Sequence, residues 1–126
     1  MAKVSMKLSL TLLAGLVLGG SITQILQAQS RPPAYMIAEF EMTDAAKFKA
    51  YGDATAVQIP AAGGKFIVRA GKTFNVAGDT PKRVVIVQWP SLEKAQTYFD
   101  SSEYKQLVAT RDAGSKFRSF VIEGIE

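Results

Sequence analysis

The chain contains no cysteine and no histidine among its 126 residues. The lack of cysteine excludes a disulfide framework and thiol chemistry. The lack of histidine excludes serine–histidine and cysteine–histidine hydrolases, histidine-bound haem and histidine-ligated zinc. No complete catalytic motif is present either, so the sequence identifies no reaction. We predict that the protein uses no cofactor and no metal.

The chain also lacks a concentrated basic surface. Its formal charge of +4 includes Lys3 and Lys7, which belong to the N-terminal segment. In the remainder, adjacent basic residues occur only at Lys82–Arg83, whereas a nucleic-acid surface needs a denser basic stripe. We therefore predict no nucleic-acid partner. The balance of 48% hydrophobic and 21% charged residues is that of a folded globular domain.

The N-terminal segment has the pattern of a secretory signal. Two lysines and no acidic residue precede the apolar run Leu8–Leu18, and a basic start followed by a short apolar run is typical of exported proteins. We predict a signal peptide over residues 1–28 and a mature protein that is periplasmic or secreted, without stable membrane association. Residues 29–33 are then a linker, and residues 34–126 form one domain.

An uncleaved membrane anchor is the alternative for the same segment. Leu8–Gln27 spans 20 residues, which is about the minimum length that crosses a bilayer. Ser21, Thr23 and Gln24 make its second half polar, and polar residues disfavour stable insertion. We therefore favour cleavage, after Ala28, over anchoring.

The domain shows strand and helix patterns in the order strand, helix, strand, strand, helix, strand. Strands are predicted from alternation of apolar and polar residues, and helices from apolar spacing and N-terminal capping residues. The predicted strands cover 34–42, 65–69, 83–89 and 116–123, with a short strand over 73–76. The first predicted helix covers 44–62 and is interrupted somewhere, because Gly52 weakens it and Pro60 should kink or end it. The second helix starts from Ser91, breaks at 100–102 and resumes over 103–113. This order predicts an α+β ferredoxin-like βαββαβ fold, with an antiparallel sheet and both helices on one face.

Both faces of this predicted sheet carry apolar side chains. In the third strand, Val85 and Val87 lie on one face and Val84 and Ile86 on the other. The last strand divides in the same way into Phe117 and Val121 against Phe120 and Ile122, and the second strand into Phe66 and Val68 against Ile67. If one face were exposed to water, the residues on that face should instead be polar. A second copy of the chain is the simplest cover, and roughly 600 to 800 Å² per subunit would be an ordinary interface. The sequence therefore predicts a homodimer.

Two arginines are the strongest candidates for ligand binding. Arg69 ends an apolar strand segment and Arg111 lies in the second helical region. A planar guanidinium suits a carboxylate, which either the protein or a ligand can supply. Tyr51, Trp89 and Tyr104 are core candidates whose polar groups can also line a pocket. These five residues form our predicted site, between sheet and helices, for a small acidic or aromatic organic molecule.

Acidic residues on the first strand suggest a different site. Glu39 and Glu41 lie two apart on one strand face, and paired carboxylates can act in acid–base chemistry or hold a cation. Surface ion pairs with arginine are the commoner role for such residues. We predict that role here.

Nearly all of residues 34–126 resembles the family catalogued as domain of unknown function 1330 (DUF1330). The matching features are the first strand with Thr43–Asp44, Tyr51, Gly63–Phe66 with Arg69, Gly78–Asp79, Val85–Ser91, Ala95, the Ser-x-Glu-Tyr run within Asp100–Tyr104, Arg111, and Phe120–Gly124. The resemblance implies a dimeric α/β barrel in which two ferredoxin-like sheets pack face to face. It implies no activity, because the family has no established one.

The resemblance also leaves two alternatives to ligand binding. Related barrels include cofactor-independent monooxygenases and isomerase-like enzymes, so Tyr51 or Glu123 could serve as a proton donor or acceptor. Other related barrels are stress-associated proteins, which suggests a structural dimer without a ligand.

Overall fold

The computed structural model describes residues 31–126. The predicted signal peptide, residues 1–28, and the start of the predicted linker lie outside the described residues. Within residues 31–126, no helix has the length and apolar character that a membrane span requires.

Four strands and four helices make up the described part of the chain. They are, in order, β1 (Ala34–Met42), α1 (Ala45–Ala61), β2 (Lys65–Arg69), β3 (Arg83–Trp89), α2 (Leu92–Phe99), α3 (Ser102–Lys105), α4 (Val108–Gly114) and β4 (Ser115–Glu123). The strands form one sheet in the order β2-β3-β1-β4, and every neighbouring pair is antiparallel. The predicted ferredoxin-like α+β fold is confirmed.

Helix starts follow the short oxygen-bearing side chains. The carboxylate of Asp44 accepts from the Lys47 amide at 3.0 Å, and the Ser91 hydroxyl accepts from the Lys94 amide at 3.2 Å. Each bond satisfies one of the free amide groups in the first helical turn. Ser91 is therefore a helix cap.

Three predicted boundaries differ from the structure. Helix α1 runs without interruption, because Pro60 falls in its last turn, where few hydrogen bonds remain to be lost. The short strand predicted over 73–76 is absent. Phe74 and Val76 of this segment are almost fully exposed, so no packing against the sheet holds it in place. The helix predicted over 103–113 divides near Leu107, whose amide donates to the Tyr104 carbonyl at 2.8 Å in a tighter turn.

An irregularity in β2 changes which of its side chains face the helices. Phe66 pairs with Val87, but the register shifts before the next pair, Val68 with Ile86. Directly paired residues share a face, so Phe66 lies on the helix side and Val68 on the opposite side. The prediction that Phe66 and Val68 share a face was wrong, because Ile67 is an extra residue in the strand.

The helices cover one face of the sheet and bury its alternate residues. In β1 the buried residues are Ala34, Met36, Ala38 and Phe40. Across from them, Trp89 stacks on Tyr98 of α2 with ring centroids 5.5 Å apart. This aromatic layer fixes the distance between the sheet and the second helical region.

The other face, which we call the outer face, has an apolar centre. Its middle row crosses all four strands through the paired residues Val68, Ile86, Ile37 and Phe120. Phe120 is 44% exposed in the single chain. One end of the outer face is polar, because acidic residues of the first strand lie there. For these residues the sequence predicted surface ion pairs with arginine.

At that end, the Glu39 carboxylate lies 3.6 Å from the Arg118 guanidinium. Both side chains are substantially exposed, so the pair contributes at most about 1 kcal/mol to stability.

Candidate functional site

A cavity of about 250 Å³ lies between α1 and the sheet. We call it the helix–sheet cavity. Its lining residues are Met36, Phe40, Phe48, Tyr51, Gly52, Asp53, Thr55, Ala56, Ile59, Phe66, Arg69, Ala70, Arg83, Val85 and Phe117. Ligand pockets for drug-sized molecules usually have roughly 300–1,000 Å³. This cavity therefore suits a molecule with one ring.

Two guanidinium groups lie at the mouth of the helix–sheet cavity. The Arg69 Cζ is 4.2 Å from the centroid of the Phe66 ring, and the Arg83 Cζ is 5.1 Å from that of Phe48. Within residues 31–126, neither guanidinium has an ion pair or hydrogen bond to a protein group. The one lining carboxylate, Asp53, is bonded to Lys49 at 2.6 Å. The mouth is therefore a cationic surface backed by aromatic rings.

The structure brings three of the predicted site residues into contact. The hydroxyls of Tyr51 and Tyr104 are 3.0 Å apart, and Arg111 Nη1 donates to the Tyr104 hydroxyl at 3.0 Å. Arg111 Nε also donates to the Asp112 carboxylate at 2.9 Å. Arg111 thus has the protein carboxylate that was one of its two predicted partners. We call Tyr51, Tyr104 and Arg111 the tyrosine–arginine chain.

Burial keeps Tyr51 and Tyr98 protonated. Burial, with the adjacent Tyr104, raises the pKa of Tyr51 far above its ordinary value. Burial likewise raises the pKa of Tyr98 to about 12. Near neutral pH, Tyr51 can therefore donate a hydrogen bond but cannot act as an ionised base.

Arg111 remains charged despite being partly buried. Burial alone would lower the pKa of its guanidinium. The hydrogen bonds to Asp112 and Tyr104 outweigh that effect, so the pKa of Arg111 is raised.

Arg69 and Arg111 line different cavities. Arg111 and Tyr104 line a second cleft of about 260 Å³ beside the edge strand β4, together with Phe99, Phe117, Ser119, Phe120 and Val121. Neither this edge cleft nor the helix–sheet cavity is lined by both arginines. The partner of Arg69 at its cavity is Arg83 instead.

Trp89 and Glu123 line neither cavity. Trp89 is 1% exposed, and within the described residues its indole N–H has no hydrogen-bond partner. Its visible role is packing, against Tyr98 and Phe99. Glu123 pairs with Ala34 near the end of β4.

Sequence reasoning missed Arg83, although the signal was present. Alternation along β3 places Arg83 on the same face as Val85, Val87 and Trp89. The three apolar residues predict that this face is inward, so Arg83 should have been read as inward too. It was instead grouped with Lys82 as part of a basic pair.

No group of three or more acidic residues in residues 31–126 is arranged to hold a metal ion. A third cavity, of about 400 Å³, is lined mainly by charged and polar residues at the end of the sheet where Glu39 and Arg118 pair. The helix–sheet cavity and the edge cleft differ from it in being joined through the tyrosine–arginine chain.

Solved structures share this fold at low sequence identity. RPA0582, a protein of unknown function from Rhodopseudomonas palustris, has a TM-score of 0.64 and 17% identity, over 82% of this chain and 93% of that chain. SnoaB, a cofactor-independent oxygenase from Streptomyces nogalater, has a TM-score of 0.54 and 14% identity, over 75% and 95%. A dimeric ferredoxin-like protein of unknown function from Thermobifida fusca has a TM-score of 0.50 and 14% identity, over 75% and 92%.

None of the curated proteins matches the chain significantly. A family model described as "Domain of unknown function (DUF1330)" matches residues 33–125, which confirms the resemblance seen in the sequence. Because that match spans most of the chain, the protein belongs to the DUF1330 family.

Proposed function

We propose that the protein is an exported homodimer that binds a small organic acid with one aromatic ring in the helix–sheet cavity. The observation that carries the proposal is the pair Arg69 and Arg83, which line the same cavity without a protein anion as partner. A carboxylate of the ligand would supply that anion.

The chemistry of the lining favours an aromatic acid over other anions. Guanidinium groups bind carboxylates through two parallel, charge-assisted hydrogen bonds. Behind them, the rings of Phe40, Phe48 and Phe117 form an apolar wall, against which a ligand ring can pack edge-on or offset. An inorganic anion would use the arginines but leave this wall uncovered.

Benzoate binding tests the carboxylate site. Isothermal calorimetry on the purified protein should detect benzoate and not benzyl alcohol, which has the ring without the charge. We expect Arg69→Gln and Arg83→Gln each to weaken benzoate binding roughly tenfold, because each removes one charged contact at a solvent-exposed mouth.

Lys82→Gln is the matched control, since Lys82 is adjacent in sequence but does not line the cavity. It should leave the affinity within about twofold, by the weak effect of screened surface charges. No benzoate binding at millimolar concentration, or full affinity in both arginine variants, would refute the proposal and favour a dimer without a ligand.

A cofactor-independent enzyme is the second candidate. It is favoured by the tyrosine–arginine chain, which brings a protonated hydroxyl to the cavity wall, and by the fold shared with the oxygenase SnoaB. In that case Tyr51 would act as a proton donor. Turnover of a bound acid without added cofactor, lost in Tyr51→Phe while binding persists, would distinguish an enzyme from a binding protein.

Export is supported by Lys3, Lys7 and the apolar run that follows them. Expression in a bacterial host should give a periplasmic protein whose first residue, by N-terminal sequencing, is Gln29. Recovery of the intact chain in the membrane fraction would support the anchor instead.

A further inference from the structure

The tyrosine–arginine chain has one more hydroxyl hydrogen than the protein accepts. Tyr104 and Tyr51 each carry one hydroxyl hydrogen, and Arg111 already donates to the Tyr104 oxygen at 3.0 Å. Tyr51 and Tyr104 share a single bond of 3.0 Å. Within residues 31–126, neither hydroxyl has another protein partner.

Two directions of the shared bond fit this count. If Tyr51 donates to Tyr104, the hydrogen left over belongs to Tyr104, which lines the edge cleft. Tyr51 and Tyr104 are 6% and 5% exposed, so a donor left over at either position is destabilising unless a ligand accepts from it. If Tyr104 donates instead, the unused hydrogen belongs to Tyr51, which lines the helix–sheet cavity. A ligand acceptor in the helix–sheet cavity favours this second direction, in which the bonds run from Arg111 to Tyr104 to Tyr51.

We propose that Tyr51 donates this remaining hydrogen to an uncharged oxygen of the ligand, so that the ligand is an aromatic acid with a carbonyl group at the end opposite its carboxylate. This inference rests on the proposed function. Tyr51 is buried and the two arginines are exposed, so the acid group lies at the mouth and the carbonyl at the inner end.

The inner end is suited to a neutral acceptor and not to a second carboxylate. Tyr51 offers one hydrogen, whereas a buried carboxylate needs several donors or a free cation. The nearest cation, Arg111, is already paired with Asp112 at 2.9 Å. Arg111 and Tyr104 are therefore positioning residues, which hold the Tyr51 hydroxyl in its donating orientation.

A pair of ligands of equal shape tests the inference. 4-Acetylbenzoate carries a carbonyl oxygen where 4-isopropenylbenzoate carries a methylene group. The wild-type protein should bind 4-acetylbenzoate about fivefold more tightly, which is the effect of one neutral hydrogen bond. In Tyr51→Phe the preference should vanish, while 4-isopropenylbenzoate still binds.

Tyr98→Phe is the matched control. Tyr98 is also buried and bonds to Gln58 at 2.9 Å, but it does not line the helix–sheet cavity. This variant should keep the fivefold preference. Infrared spectra of bound 4-acetylbenzoate give a second readout, because a hydrogen bond from Tyr51 lowers the ketone stretching frequency, and this readout needs only the wild-type protein.

The outcomes separate the two proposals. Equal affinity of wild-type protein for both ligands, with an unshifted ketone band, overturns the role of Tyr51 but leaves the carboxylate site standing. Failure of both ligands to bind overturns the carboxylate site and this inference with it. A preference that persists in Tyr51→Phe shows that another group recognises the carbonyl, and also overturns the inference.

Discussion

Gly114→Ala should lower the free energy of unfolding by about 3 kcal/mol or more, at the upper end of the usual cost of overpacking. An added Cβ would lie 2.6 Å from the Phe48 amide nitrogen and 2.9 Å from the Lys47 carbonyl carbon. Both atoms belong to the backbone of α1, so they cannot move aside as the end of a flexible side chain can. The amides of Thr43 and Asp44 donate to the Gly114 carbonyl at 2.9 and 3.1 Å, which holds the two helices at this distance.

Chemical denaturation followed by the fluorescence of Trp89, the only tryptophan of the chain, measures the effect. For a domain of this size, a loss of 3 kcal/mol lowers Tm by roughly 12 °C or more. Wild type and variants must be compared at one protein concentration, since the stability of a dimer depends on it.

Gly52→Ala is the control for the same chemical change. Gly52 lies inside α1, and a Cβ there would meet no atom within 4 Å. Alanine is the better helix former, so this variant should gain about 0.5–1 kcal/mol. Similar small effects from both substitutions would show that α1 and α4 do not approach closely in solution.

Ile37→Glu should convert the proposed homodimer to a monomer at micromolar concentration. Ile37 lies at the centre of the outer face, directly between Ile86 and Phe120. In a two-fold symmetric interface each substitution is present twice, and a carboxylate without a partner in an apolar contact costs several kcal/mol. We expect the dissociation constant to rise by at least about 100-fold, which corresponds to about 2.7 kcal/mol.

Sedimentation velocity distinguishes the species, and circular dichroism checks that the monomer is folded. Val57→Glu introduces the same charge at a β-branched residue of α1 that is 72% exposed, and it should remain dimeric. A monomeric wild-type protein, or an Ile37→Glu variant that still sediments as a dimer, would show that the outer face is not the interface.

The sheet could be predicted from the sequence because its determinants are local. Alternation in β1 separates Met36 and Phe40 from Ile37 and Glu39, and the structure buries the first pair more deeply. The helix caps Asp44 and Ser91 were equally clear, since capping depends on residues only three apart. Strand order then followed from the known arrangement of such elements.

The candidate site was harder to predict because it depends on contacts between distant elements. Tyr51, Tyr104 and Arg111 come together only through the packing of α1 against the second helical region, 53 residues apart for the two tyrosines. The pairing of Arg69 with Arg83 depends on the register of β2. Trp89 was included for its indole N–H, yet burial leaves that group without a protein partner in the described region.

The register shift in β2 makes the chemistry of the cavity depend on how that strand is paired. In a regular strand, a shift by one residue moves every side chain to the opposite face. A homologue of the same strand length that paired without the extra residue would place Val68 on the helix side, and the guanidinium of Arg69 would then emerge on the outer face. Two family members could thus share all their charged residues and still differ in whether they capture acids, so the pairing register of this strand should be compared before ligands are transferred between them.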